Sequence, residues 1–316
     1  ARHQWLAVAL RAVAGTGGPV AATGADEVVD PFVQAAAASA PARPPAPASS
    51  LAFLAAPAQV GDRVVQRLGF RLQASTRVVQ SGQVAHEGTH LMVRQQQRTI
   101  DVLSVDGGRA GKVRASFEIS RRQSPEDGAP DELVKLPIEG RTYLMSRAGD
   151  EVQGADDRGA IPPLEEYKLV AAALAGVGLP NPLAELLAGK SLHVGEQMLV
   201  PRELAQTLLG FGATEFARVH RFELTLARAA ASEAGDQPLA VFGARIDVRP
   251  EDEEDLTMHL TGELVVDPAT CRLTSLDLAG PVHVTRIERT PLGIYQDSMA
   301  GEVQMALRAH YSRPTK

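Results

Sequence analysis

The run His86-Glu87-Gly88-Thr89-His90 has the spacing H-E-x-x-H. On a helix, imidazoles four residues apart share a face and can hold a zinc ion, while the glutamate between them activates the metal-bound water. His86 and His90 would be the metal ligands and Glu87 the catalytic group of a zinc-dependent hydrolase. Leu91 and Met92 continue with the apolar character of such a helix. Three features oppose it. Gly88 would sit in the helix interior, at a cost of about 1 kcal/mol relative to Ala. The flanks, Ser81-Gly82 and Arg94-Gln95-Gln96-Gln97-Arg98, lack the apolar stripe of a buried active-site helix. Gln96 stands where a third histidine ligand is needed, and the distant carboxylate Glu118 lies in Ser116-Phe117-Glu118-Ile119-Ser120, which alternates as a strand does. The preferred reading is therefore a hairpin tip with solvated histidines near a strand start, and no cofactor.

Other chemistry-bearing residues are scattered. His259, His283 and His310 fall opposite the apolar positions of their segments, and Asp156-Asp157 and Glu253-Glu254-Asp255 lie in polar loops. Cys271 is the single cysteine, so no intrachain disulfide or cysteine-rich zinc site can form; beside a turn, it reads as a passive small residue. There is no G-x-S-x-G, no phosphate-binding glycine loop before a helix, and no Cys/His dyad. A net charge of -6 without a basic run argues against nucleic acid, as does an aromatic content of 4%. No apolar run reaches the ~18 residues of a membrane span.

The elements that must position these residues show clearest in the last third. Met258, Leu260, Gly262, Leu264 and Val266 alternate; so do Leu276 to Val284, and Met299 to Tyr311. A period of two puts each set on one face of a strand. Asp267-Pro268-Ala269-Thr270 and Thr290-Pro291-Leu292-Gly293 supply the turns of an antiparallel meander. Earlier strands are predicted from about Gly61: Val64 to Gln73, Thr89 to Val105, and Lys112 to Arg122, the last two joined at Asp106-Gly107-Gly108. Two shorter ones follow within residues 133–153, and others at Phe222–Leu226 and Ala240–Val248. Between the two strand-forming halves, residues 163–210 form a helical insert. Leu164, Tyr167, Val170 and Leu174 have helical spacing with Glu165 and Glu166 in the first turn, and Pro182–Leu187 and Pro201–Leu209 make further helical segments. The expected fold is mainly β: one large curved antiparallel sheet or open half-barrel of about ten strands, with helices against its concave face.

Residues 58–316 are thus expected to form a single β-rich domain. Residues 1–57 read as a disordered Ala/Pro-rich leader and tether, since Ala35–Ser50 lacks bulky apolar groups to offset the entropy of ordering. Within residues 1–15, Arg2 and His3, then Trp5–Leu10, then Ala12-Val13-Ala14 outline a signal peptide; Arg11 interrupts it, and an Ala-rich leader without that role is the favoured reading.

Several short segments, namely Val105-Asp106-Gly107, Glu139-Gly140-Arg141-Thr142-Tyr143, His193-Val194-Gly195-Glu196 and the stretch from Gly262 through Asp267 to Leu273, resemble those of uncharacterised bacterial envelope proteins of a domain-of-unknown-function type. Arg141 departs from the lysine of that pattern and Cys271 from its glycine. The resemblance implies a fold similar to the half-barrels of periplasmic lipoprotein carriers, whose concave face takes acyl chains; it brings no catalytic residues. The function it favours is a non-enzymatic periplasmic or secreted protein binding a lipid or other hydrophobic small molecule, with Leu276, Leu278, Met299, Val303 and Met305 as cavity-lining candidates. For these residues themselves, plain sheet–helix core is the favoured reading. The alternatives are the zinc hydrolase and a structural or partner-binding module, which needs an exposed apolar patch or strand edge. Oligomeric state is left open.

Overall fold

The two-residue alternation does build long antiparallel strands, and their register decides what each face carries. The structure is a computed structural model that describes residues 50–123, 132–209, 218–231, 238–249, 255–290 and 293–313. The leader, most of the tether, the loops around 124–131 and 250–254, the helix stop at Gly210 and part of the Pro291 turn lie outside the described residues.

In chain order the strands are β1 (Ser50–Ala52), β2 (Arg63–Gln80), β3 (Gln83–Asp106), β4 (Arg109–Gln123), β5 (Val134–Lys135), β6 (Arg141–Ala148) and β7 (Glu151–Asp156). Three helices follow among the described residues, α1 (Leu164–Ala173), α2 (Pro182–Leu187) and α3 (Arg202–Leu209), with β8 (Ser191–His193) and β9 (Gln197–Leu199) between the last two. β10 (Arg218–Ala230), β11 (Leu239–Arg249), β12 (Asp255–Asp267), β13 (Arg272–Thr290) and β14 (Gly293–Ser312) complete the chain. One twelve-stranded antiparallel sheet runs β7-β6-β4-β3-β2-β14-β13-β12-β11-β10-β9, with β5 beside β4. Its two end strands do not pair, so the half-barrel stays open. Both ends are short, at six and three residues, which limits the unpaired edge they offer.

Curvature has an identifiable source. Gly262, Gly280 and Gly301 sit on neighbouring strands β12, β13 and β14, staggered into a diagonal on one sheet face. A Cβ on them would lie 1.9 Å from the Asp277 carbonyl oxygen, 1.8 Å from that of His259 and 2.3 Å from that of Gln73. Only glycine lets adjacent backbones close up this far, and a line of such positions creases a sheet towards the face they occupy.

That inner face carries two apolar layers. The larger packs β2 and β10 to β14 under Leu183, Leu186 and Leu187 of α2 and Ala205 and Leu209 of α3. The smaller packs Val113, Ala115 and Phe117 of β4 and Tyr143 and Met145 of β6 under Leu169 and Val170 of α1. α1 begins after Pro163, which fixes the entry φ, and carries the expected acids in its first turn; Asn181 caps α2 by accepting from the Leu183 N–H.

Three expectations change. Residues 50–57 were assigned to the tether, yet β1 pairs with β8 and Phe53 is buried against Phe242 at a ring separation of 5.9 Å. The strands outnumber the ten or so expected because β1, β5, β8 and β9 are two or three residues long, too short to show a period. The insert is also not purely helical: β9 within it joins the sheet by pairing with β10.

Candidate ligand-binding site on the inner sheet face

Residues paired across antiparallel strands point to the same side, so register converts strands into rows. One inner-face row reads Phe242, Leu264, Leu276, Leu307, Leu68, Gln96, Ser120 from β11 to β4. The next reads Ala244, Gly262, Leu278, Met305, Phe70, Arg94, Arg122. A third sets Ala309 and Gln66 beside Arg98 and Phe117. The first two rows are apolar as far as β2 and turn polar at β3; in the third the change comes at Gln66, on β2 itself. A cationic seam therefore runs between the two apolar layers.

Exposure along the first row peaks in its middle. Phe242, Leu264 and Ser120 are each 0% exposed at the ends, whereas Leu307 and Leu68 are only partly covered. In the second row Met305, Arg94 and Arg122 are likewise half-buried. The helices cover both flanks and leave the part nearest the seam open. Of the cavity-lining candidates, Leu276, Leu278, Met299 and Val303 are buried within the larger layer, while Met305 reaches the open part.

Arg98 is the most enclosed arginine of the seam, at 9% exposure. Its Nε donates to Gln66 Oε1 at 2.8 Å, and its Nη1 donates to Gln96 Oε1 at 3.2 Å and to the Ala173 carbonyl at 2.5 Å. Every one of these acceptors is neutral. The Ala173 carbonyl closes the C-terminus of α1, whose dipole offsets part of the positive charge. Burial, with the charge of Arg94 adding to it, pulls the guanidinium down to about 10. Arg94 is shifted down in the same way, by burial first and then by Arg122 opposite it. Like charges set directly across a strand pair repel each other. In sequence, Arg94-Gln95-Gln96-Gln97-Arg98 was notable only for lacking the apolar stripe of a buried helix; in the strand, Gln95, Gln96 and Arg98 are buried all the same. The alternation of Arg94, Gln96 and Arg98 was the available signal.

The H-E-x-x-H residues lie on β3, in an extended strand. His86 and His90 face inward together, since they pair with Val78 and Ala74, whereas Glu87 faces out and pairs with Arg77 at 3.1 Å. The rings lean over Gly88: a Cβ there would meet His86 Nε2 at 3.3 Å and His90 Nε2 at 3.8 Å, and His90 Nε2 lies 3.0 Å from Thr76 Oγ1. Glu87 is thus on the wrong side to activate a water held by these imidazoles. No group of three or more His, Cys, Asp or Glu placed to hold a metal occurs among the described residues. His259, His283 and His310 are exposed on the outer face, as alternation required.

Other buried polar groups are anchors. Glu166 of α1 accepts from Arg141 at 2.7 Å and from the Tyr143 hydroxyl at 2.9 Å, tying helix to sheet. Burial and that bond push the Tyr143 hydroxyl well above its ordinary range. Cys271 is fully buried in a left-handed turn conformation (φ 51°), its Sγ 3.1 Å from the Leu54 carbonyl oxygen. Burial, and then Asp267, raises the thiol to about 11. On the outer face a cleft of about 360 Å³ is lined by polar groups such as Gln197, Glu223 and Arg245. Exposed Val84, Ile287 and Ile294 sit at the ends of the β2–β3 and β13–β14 hairpins.

No family model matches this chain, and no curated protein matches it. Among solved structures, one of lipid–protein interactions in lipovitellin aligns with 82% of this chain and 26% of its own, at 7% identity and a TM-score of 0.36. The chain thus spans about a quarter of the lipovitellin chain. MucB in complex with MucA(peri) aligns with 74% of this chain and 87% of its own, at 11% identity and a TM-score of 0.10. The Pseudomonas aeruginosa MucA/MucB complex aligns with 73% and 88%, at 10% identity and a TM-score of 0.09. Scores this low carry no argument about fold, activity or ligand.

Proposed function

We propose that this chain is a non-enzymatic envelope or secreted protein that binds a lipid or other hydrophobic molecule on the inner face of its half-barrel. One observation carries the reading: the apolar rows are sealed under helices at their flanks and open beside the seam, at Leu68, Met305 and Leu307. A sheet face serving only as core would be covered throughout, because each exposed apolar Å² forgoes about 25 cal/mol. Open sheet edges at β7 and β9 let the two flanks move apart without breaking a ladder, as entry of a chain-like ligand requires. No helix is long and apolar enough to cross a membrane. Export of the full-length protein is part of the proposal and is tested by fractionating the producing cells.

The direct test is native mass spectrometry and organic extraction of the purified protein. Co-purifying lipid at near one-to-one stoichiometry, competed off by a fluorescent fatty acid, is the expected result. A ligand-free protein that also fails to take up the probe would end the reading and leave the partner-binding alternative, whose surface would be the exposed Val84, Ile287 and Ile294 at the hairpin ends.

A further inference from the structure

The seam gives that ligand a chemical class. Arg98 spends Nε and Nη1 on three neutral acceptors, and its Nη2 donates to nothing among the described residues. A guanidinium has five N–H donors, and a buried one normally finds acceptors for all of them. Nη2 is not sealed either, since the fully enclosed orphan among the described side chains is Gln95 Oε1 on the opposite face. Its two free donors therefore look onto accessible space. Arg94 and Arg122 lie two rows from Arg98 along β3 and β4, and the part-open apolar residues Leu68, Leu307 and Met305 lie in the intervening and Arg94 rows on the β2 side.

We infer that the seam receives the acidic headgroup, carboxylate or phosphate, of an amphiphile whose hydrocarbon chain lies along the apolar rows. The inference rests on the proposed lipid-binding function and names the class of ligand for it. Two features support an anion over a neutral polar head. Among the described residues Arg98 has no carboxylate partner, and the acceptors there that offset its charge are amide and helix-terminal carbonyls. A planar guanidinium with two free donors on one nitrogen matches the paired oxygens of a carboxylate or phosphate, and such charge-assisted bonds are about twice as strong as neutral ones. A second point concerns position. The polar-to-apolar change falls between β2 and β3 in both long rows, so head and tail sites share a straight boundary, as an amphiphile requires.

The test uses the full chain and two probes, anthroyloxy-stearic acid and its methyl ester, which differ only in the headgroup charge. The wild-type protein is expected to bind the acid about tenfold more tightly than the ester. Arg98→Met is expected to keep ester affinity and bring the acid down to it, while Arg98→Lys keeps part of the preference. Equal affinity of the wild-type protein for acid and ester would overturn the headgroup inference and leave lipid binding standing. An undiminished acid preference in a folded Arg98→Met variant, its fold checked by circular dichroism, would overturn it too. Binding of neither probe would remove the parent function and the inference with it. The wild-type ratio needs no variant, so a misfolded Arg98→Met does not leave the matter undecided. Competition by stearic acid against lysophosphatidylglycerol then distinguishes a carboxylate from a phosphate headgroup, and competition by either one supports the inference.

Discussion

Asp62 shows how much one residue can organise. It is 4% exposed and accepts from Arg272 Nη2 at 2.7 Å, Arg313 Nε at 3.0 Å and the Gln59 N–H at 3.2 Å. Burial alone would raise its carboxyl, but these hydrogen bonds, led by that of Arg272, together hold it below its ordinary value of 3.8. A depressed carboxyl stabilises the fold above the unfolded-state value, and that stability is lost as pH falls through the folded-state value. Asp62→Asn is therefore expected to cost about 2 to 4 kcal/mol at neutral pH, because it leaves Arg272 and Arg313 facing an amide. In urea melts the difference between wild type and variant should shrink as pH drops below the carboxylate range. A difference that stays constant with pH would mean that the ion pairs contribute nothing and only packing was lost. None of this was legible in the sequence, because Arg272 and Arg313 lie 210 and 251 residues from Asp62. Residue types alone did place the exposed histidines. They also made Glu87 conspicuous, but only strand geometry showed that it faces away from His86 and His90.

At the level of elements, the meander β12 to β14 was legible because each strand buries one face, and burial on one side imprints a period of two. The helices α1 to α3 were legible for the matching reason, a change of period bounded by Pro163, Pro182 and Pro201. Register was not. Bulges between Val78 and Val79 in β2 and between Gln97 and Arg98 in β3 reset which residues face one another. The seam depends on that resetting, so Arg94 and Arg98 could be seen to alternate while their apolar neighbours Phe70 and Gln66's partner Ala309 could not be assigned. The glycine crease is an element-scale feature with a sharp consequence. In Gly280→Ala the new methyl would fall 1.8 Å from the His259 carbonyl oxygen, so β12 and β13 must separate. Overpacking of this kind costs about 1 to 3 kcal/mol, and here it acts on backbone that cannot rotate away. Thermal or urea unfolding should show a loss at the upper end of that range. A neutral Gly280→Ala would mean that the curvature arises elsewhere.

For the whole molecule, the decisive fact is that one sheet carries two apolar layers with a charged strip between them. The sheet's centre is closed by its ends in sequence, since β2 pairs with β14 along eighteen register positions. The smaller layer is held more lightly, as β4 meets β6 at six positions, with α1 above. Where few ladder positions and a small apolar layer hold a region, it can open without the rest. Native-state hydrogen exchange should therefore find β6 and α1 exchanging through a shared opening of lower free energy than β2, β13 and β14. Arg98 links the two regimes, reaching from β3 to the Ala173 carbonyl at the end of α1. An acidic amphiphile seated at Arg98 would draw on both layers at once, so adding stearic acid should raise protection in α1 and β6 more than in β13. Binding only to the folded, closed arrangement stabilises it in proportion to ligand concentration, which makes the effect titratable. If all amides in both layers exchange with one common free energy, and ligand raises them equally, the half-barrel is a single cooperative unit and the seam is not a boundary within it.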